Sequence, residues 1–214
     1  MLKRNKKQII ASILVTMLPI LAGLCMWNYL PDQMPTHWNF AGEIDGWSGK
    51  GFAVFGTTGI IVVVHILCVL ATAADPKSKN VSGKMLSLVY WICPVISILT
   101  SAVGYAAAFG MEVRMDIWPM VMIGVLFIIM GNWLPKCKPN YTVGIKLPWT
   151  IHSEDNWKRT HRIAGPVWIA GGFVTMISAV LGRYSWIIFT IVMIVLIFVP
   201  TIYSFMLYRK SEQI

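Results

Sequence analysis

Acidic residues are few in this chain. Nine Asp and Glu stand against eighteen Lys and Arg in 214 residues, and the long apolar runs contain no Asp, Glu, Lys or Arg at all. Their absence at depth disfavours a charge-relay pump and an intramembrane aspartyl protease, because both need ionisable groups inside the bilayer. Cysteine is also sparse. Cys25, Cys68 and Cys93 fall inside apolar runs and Cys137 in a polar connection. No pair is offered for an extracytoplasmic disulfide framework, and no spacing matches a zinc ribbon or a thioredoxin-like motif. Internal repeats, low-complexity blocks and a separate soluble domain are missing as well. Ser153 and His161 share one short stretch without an orienting acid or oxyanion donors, so the chain reads as a non-enzyme needing no cofactor.

What is present is apolar bulk: 57% hydrophobic and 13% charged residues, with a mean hydropathy of +0.66. That composition belongs to a polytopic membrane protein. Uncharged runs lie at 8–29, 52–73, 85–109, 117–134, 163–181 and 184–208, each near the ~20 residues a helix needs to cross the hydrocarbon. The expected fold is an all-α bundle of six transmembrane helices. Barrel strands would alternate where these runs are continuously apolar. The first run is too long for a signal-peptide core, so the first helix is expected to be retained.

Fifteen of the eighteen Lys and Arg fall on one side if the amino terminus is inside, leaving Lys50, Arg114 and Arg183 outside. Both termini are therefore expected in the cytoplasm. The formal net charge of +9 is then mainly a topology signal, and no direct nucleic-acid binding is expected. Membrane lipids are the first expected partner. Pro19, Pro94, Pro119, Pro166 and Pro200 lie within runs, where proline is common and ordinary packing explains it. Gly165, Gly171 and Gly172 suit close helix packing. His65 is the titratable exception inside a run; a neutral imidazole bonded between helices is preferred to a proton path.

Two connections carry chemistry. The outside loop 30–51 is rich in Pro and Gly and is expected to fold compactly, with a short hairpin and a tight turn at Asp45-Gly46. His37, Trp38, Glu43, Asp45 and Trp47 form its candidate ligand surface, with carboxylates and aromatics suited to a cationic or amphipathic peptide. Three metal-capable side chains there lack a diagnostic spacing, so no metal is assigned. Trp38, Phe40, Trp47 and Phe52 also suit an aromatic underside resting on the membrane interface. The connection Asp75–Asn80 reads as an ordinary polar turn.

The connection 135–162 is the longest on the cytoplasmic side. Ser153 is expected to cap a helix with Glu154 and Asp155 in its first turn. Trp157 and His161, four apart, share a face of it, and Lys158, Arg159 and Arg162 suit lipid headgroups. Asn140, Gly144, Lys146, Pro148, Trp149, Trp157 and His161 are the candidate partner-binding or latch residues. Gly144 permits a turn, Pro148 stiffens the chain, and Asn140 and Thr150 serve backbone groups.

The ordered series Gly131-Asn132-Trp133-Leu134, Pro139-Asn140-Tyr141, Val143-Gly144-Ile145-Lys146, Pro148-Trp149-Thr150 and Trp157-Lys158-Arg159-Thr160-His161-Arg162 resembles the signature of the SdpI family of bacterial membrane immunity proteins. Leu30 to Asn39, with Gly42 to Trp47 and Lys50, resembles the loop that commonly precedes that module. At Lys146-Leu147 family members often carry Arg-Thr, and lysine cannot reproduce a bidentate guanidinium contact. The resemblance implies a two-helix amino-terminal unit over 1–83 and a four-helix SdpI-like unit over 84–214. It further implies a multipass protein of the bacterial cytoplasmic membrane that resists a secreted sporulation-delaying peptide outside and recruits a transcriptional repressor inside. A small transporter or exporter is the alternative from another class, and a structural envelope protein the third.

Overall fold

The computed structural model describes residues 2–212, without the side chains of Lys3 and Glu212. Met1, Gln213 and Ile214 lie outside the described residues, and with them the expectation for the two extreme ends of the chain. The long helices follow the uncharged runs: α1 (Leu2–Cys25), α2 (Thr57–Ala74), α3 (Gly83–Ala108), α4 (Trp118–Trp133), α6 (Glu154–Ser178) and α7 (Ser185–Glu212). A hairpin, β1 (Gln33–Trp38) with β2 (Ile44–Gly49), and a single-turn helix α5 (Pro148–Ile151) complete the elements used below. Five stretches are long and apolar enough to cross a membrane, and the fifth, Glu154–Ser211, holds both α6 and α7. It does not run straight, because Gly182 leaves helical geometry at φ 54° and ψ −124°, a conformation open to a residue without Cβ. The protein is an all-α membrane helix bundle.

Packing divides the chain into two compact units. The first, residues 1–74 and 83–114, holds α1, the hairpin, α2 and α3. This differs from the motif boundary at residue 83 because α3 packs on α1 and α2. One core cluster joins Leu30, Met34, Val54 and Tyr105, and the Tyr105 hydroxyl donates to the Pro19 carbonyl at 2.7 Å. Deeper in the unit His65 is fully buried. Its Nδ1 lies 2.8 Å from Thr16 Oγ1 and its Nε2 3.4 Å from Ser12 Oγ, while Ser97 donates to the Thr16 carbonyl at 2.8 Å. The ring also faces the backbone of Tyr90, whose carbonyl Pro94 leaves without an in-helix donor. The expected interhelical bonding of His65 is thus observed.

The second unit, residues 75–82 and 115–214, holds α4, α6, α7 and the 135–162 connection. Phe127 on α4 meets Trp168 on α6 edge-on at 5.4 Å and stacks over Phe189 on α7 at 6.4 Å. Beside this aromatic cluster the helices α4 and α6 touch backbone to backbone. A Cβ on Gly131 would sit 2.7 Å from the Gly165 carbonyl oxygen, and one on Gly124 2.6 Å from that of Gly172. Reciprocally, a Cβ on Gly172 would meet the Gly124 oxygen at 2.5 Å, and one on Gly165 the Gly131 oxygen at 2.9 Å. Seven residues separate the glycines on each helix, two turns, so both pairs fall on one seam.

Candidate functional site

The hairpin is set by its turn. The Asn39 side-chain oxygen accepts from the backbone N–H of Ala41 and Glu43 at 2.9 and 3.0 Å, the self-bonding that makes Asn a turn residue. Gly42 completes it at φ 82°. The ladder pairs Pro35 with Trp47, His37 with Gly46 and Trp38 with Ile44, with register shifts on both sides of His37. Those shifts bring His37 so close to Gly46 that a Cβ there would lie 2.7 Å from the His37 Cβ. His37 Nδ1 then reaches Asp45 Oδ1 at 2.6 Å, in the open.

Of the five hairpin residues expected to act together, His37 and Asp45 do meet. Glu43 instead accepts from the Asn39 amide at 3.0 Å, and among the described residues no three His, Cys, Asp or Glu side chains gather as a metal site would require. Trp38 is half-buried, whereas Trp47 and Phe40 are 57% and 78% exposed. The result is an exposed edge of aromatic surface beside two carboxylates.

The 135–162 connection is built more tightly. Ser153 caps α6 by accepting from the Asn156 N–H at 3.2 Å, with Glu154 and Asp155 in the first turn. That start places Trp157 and His161 on the buried face, 1% exposed each, their rings stacked at 4.1 Å. The Trp157 indole N–H donates to the Cys137 carbonyl at 2.8 Å. His161 Nδ1 is 2.8 Å from the Trp157 carbonyl and its Nε2 accepts from the Ile145 N–H at 2.9 Å. Both contacts are met only by a neutral ring protonated at Nδ1. Gly144 lies directly over the two rings at φ 125°, and a Cβ there would be 2.6 Å from His161 Nε2 and 2.9 Å from Trp157.

Asn140, 2% exposed, shapes the turn leading in: its amide donates to the Lys138 carbonyl at 2.7 Å, and its oxygen accepts from Thr142 and Val143 N–H at 2.9 and 2.7 Å. Lys146 Nζ caps the Tyr141 and Thr142 carbonyls at 3.1 and 3.3 Å. Two converging carbonyls would suit a two-pronged guanidinium at this position too. Pro148 opens α5 and fully buried Thr150 closes it, accepting from Leu147 N–H at 2.9 Å. Trp149 donates to Ser204 Oγ on α7 at 2.9 Å and packs on Phe205 and Tyr208. Asn156 ties the same place, donating to the Ser204 carbonyl at 2.9 Å.

Sequence reading missed Asp75. The connection 75–80, expected to be an ordinary turn, is a structural pin. The buried Asp75 carboxylate accepts from Lys77 N–H at 2.7 Å, Tyr141 N–H at 2.9 Å and Thr142 hydroxyl at 2.7 Å. Asn80 adds a bond to the Pro139 carbonyl at 2.7 Å. One signal was legible: an acid in a chain with few of them, whose nearest charged residues in sequence are Lys77 and Lys79.

Cys137 reports on this assembly, since burial pushes its thiol up to about 11. A protonated, covered thiol alkylates slowly. Asp75→Ala leaves the Tyr141 N–H without its partner, at a cost of about 1–3 kcal/mol, and loosens the loop. Maleimide labelling of Cys137 at neutral pH, followed by peptide mass, is expected to rise about tenfold or more in that variant. An unchanged rate would show that Asp75 does not hold the loop.

Residues 136–204 match the SdpI/YfhL protein family, and residues 14–62 match a domain described as Domain of unknown function (DUF1648). The Bacillus subtilis (strain 168) protein named Immunity protein SdpI is 26% identical over 211 residues, spanning 96% of this chain and 97% of that one. No solved structure matches. The pinned loop, the capped start of α6 and its tie to Ser204 on α7 all fall within the first of these matches or at its edge, so the similarity to the SdpI/YfhL protein family is carried by the most tightly bonded part of the chain.

Proposed function

We propose that this is a multipass immunity and signalling protein of the bacterial cytoplasmic membrane, giving resistance to a secreted antimicrobial peptide of the sporulation-delaying kind. The observation that carries the proposal is the end-to-end similarity to Immunity protein SdpI, which covers the hairpin as well as the pinned loop. In this reading six spans place the hairpin outside and the pinned loop in the cytoplasm, following the distribution of Lys and Arg. The hairpin offers Asp45, Glu43 and the exposed Trp47 and Phe40 to a cationic, amphipathic peptide. The loop, held in shape by Asp75, His161 and Trp149, is the surface that recruits a cytoplasmic repressor. Binding outside has this effect only if the peptide prefers one of two conformations of the bundle, because equal affinity for both shifts nothing.

A non-catalytic role agrees with the fate of the two nucleophile–base candidates. Ser153 is engaged as a helix cap and His161 as a backbone acceptor.

The test is survival of a sensitive bacterium challenged with sporulation-delaying peptide, comparing wild type, Asp45→Ala and Trp149→Ala at matched membrane abundance. Wild type is expected to protect and Asp45→Ala to lose protection. Trp149→Ala is expected to keep peptide binding while losing the downstream response. Well-inserted wild type that gives no protection would reject immunity to this peptide, and peptide-independent solute flux in liposomes would then favour a transporter.

A further inference from the structure

Helix α6 presents one exposed face along its whole length. Glu154, Asp155, Lys158, Arg159 and Arg162 are exposed over its first turns, and Phe173, Val174 and Ile177 farther along. At 100° per residue, Arg162 and Phe173 fall within about 20° of each other around the axis and about 16 Å apart along it. Phe173 and Ile177 are 52% and 67% exposed on a helix read as crossing the bilayer, so lipid chains cover them. Half the hydrocarbon thickness is about 15 Å, which brings Arg162 on that face to headgroup depth.

The charges on this face are not equally free. Arg159 is paired with Asp155 at 2.9 Å, four residues back. Lys158 and Arg162, also four apart, make no ion pair or hydrogen bond among the described residues. Two unneutralised cations thus stand one turn apart, directly continuous with a lipid-facing apolar stripe.

We infer that Lys158 and Arg162 form a binding site for the phosphate of an anionic phospholipid. Arg162 supplies a planar fork for two phosphate oxygens, and Lys158 a second positive charge. The site lies one residue beyond Trp157 and His161, which hold the pinned loop on the buried face of the same turns. A bound phospholipid therefore fixes α6 at the depth where that loop is fastened. The inference rests on the membrane placement of α6 and is independent of the immunity reading.

Native mass spectrometry of the full-length protein in micelles, titrated with phosphatidylglycerol or phosphatidylcholine, tests it. Wild type is expected to retain phosphatidylglycerol selectively, and Lys158→Gln/Arg162→Gln to bind it about tenfold or more weakly. Lys79→Gln/Lys138→Gln removes the same charge from exposed connections of the same unit and is expected to bind like wild type. Equal loss in the two double variants would overturn the site in favour of general attraction. Undiminished retention in Lys158→Gln/Arg162→Gln would overturn it outright. Displacement of the lipid by millimolar inorganic phosphate would reassign the site to a soluble anion, whereas persistence in phosphate supports the lipid.

Discussion

Gly131→Leu is expected to eliminate most of the folded protein from the membrane, the largest effect of any single substitution in the second unit. Ordinary overpacking costs about 1–3 kcal/mol because side chains can shift. Here two of the three nearest obstacles are backbone: a Cβ on Gly131 would meet the Gly165 oxygen at 2.7 Å and the Ile169 nitrogen at 2.8 Å, beside the Ile169 Cγ1 at 2.8 Å. Relief requires moving α4 away from α6, which also opens the Phe127, Trp168 and Phe189 contacts. Membrane helices associate through such close packing, since lipid supplies no hydrophobic drive between them. The expected cost is therefore at least about 3 kcal/mol, a large fraction of a stability of about 5–15 kcal/mol.

The comparison that isolates the seam is Gly59→Ala on α2, where a Cβ would meet nothing within 4 Å. Alanine there is expected to be neutral or to stabilise by up to about 1 kcal/mol, through helix propensity alone. Gly171→Ala should fall between, because its nearest contacts are the flexible ends of Leu196 and Val192 at 2.9 and 3.0 Å. Thermal unfolding of the purified variants in one detergent orders the three. A Gly131 variant as stable as Gly59→Ala would mean that α4 and α6 do not touch at their backbones.

The helices were legible because an uncharged run of about twenty residues has few other fates in a bilayer. The start of α6 was legible for a different reason: Ser153 followed by two acids is a local signal that needs no tertiary knowledge. The glycine seam was only half visible. Gly165 and Gly172 announced close packing, yet nothing in the sequence says that Gly124 and Gly131 are the residues opposite. Asp75 was invisible in its role because it acts across more than sixty residues of chain, and its own neighbourhood is a complete turn by itself. His37 and Asp45, grouped from sequence, do meet side chain to side chain, whereas Glu43, near them in sequence, is drawn to Asn39 by the turn geometry. Local chemistry is written locally; pairing across the fold is not.

Gly144→Ala is expected to unfasten the pinned loop while leaving the helices in place, and to remove protection in the survival assay. Two costs coincide at this position. A φ of 125° is a conformation that side-chain-bearing residues rarely adopt, and the added Cβ would lie 2.6 Å from His161 Nε2. Removing the ring tests which cost dominates. His161→Ala alone deprives the Ile145 N–H of its acceptor, a loss of about 1–3 kcal/mol, and strips the stacked face from Trp157. In the double variant the steric clash with His161 is gone but the backbone strain remains. The two substitutions should therefore be less than additive, by about 1 kcal/mol or more, as expected for groups in direct contact. Labelling of Cys137, whose carbonyl holds the Trp157 indole, gives the measurement without depending on activity. Full additivity would mean that Gly144 acts through the turn alone, with His161 fastening the loop independently; sub-additivity makes glycine, imidazole and indole one latch, in which the missing side chain of Gly144 is what lets the loop reach α6.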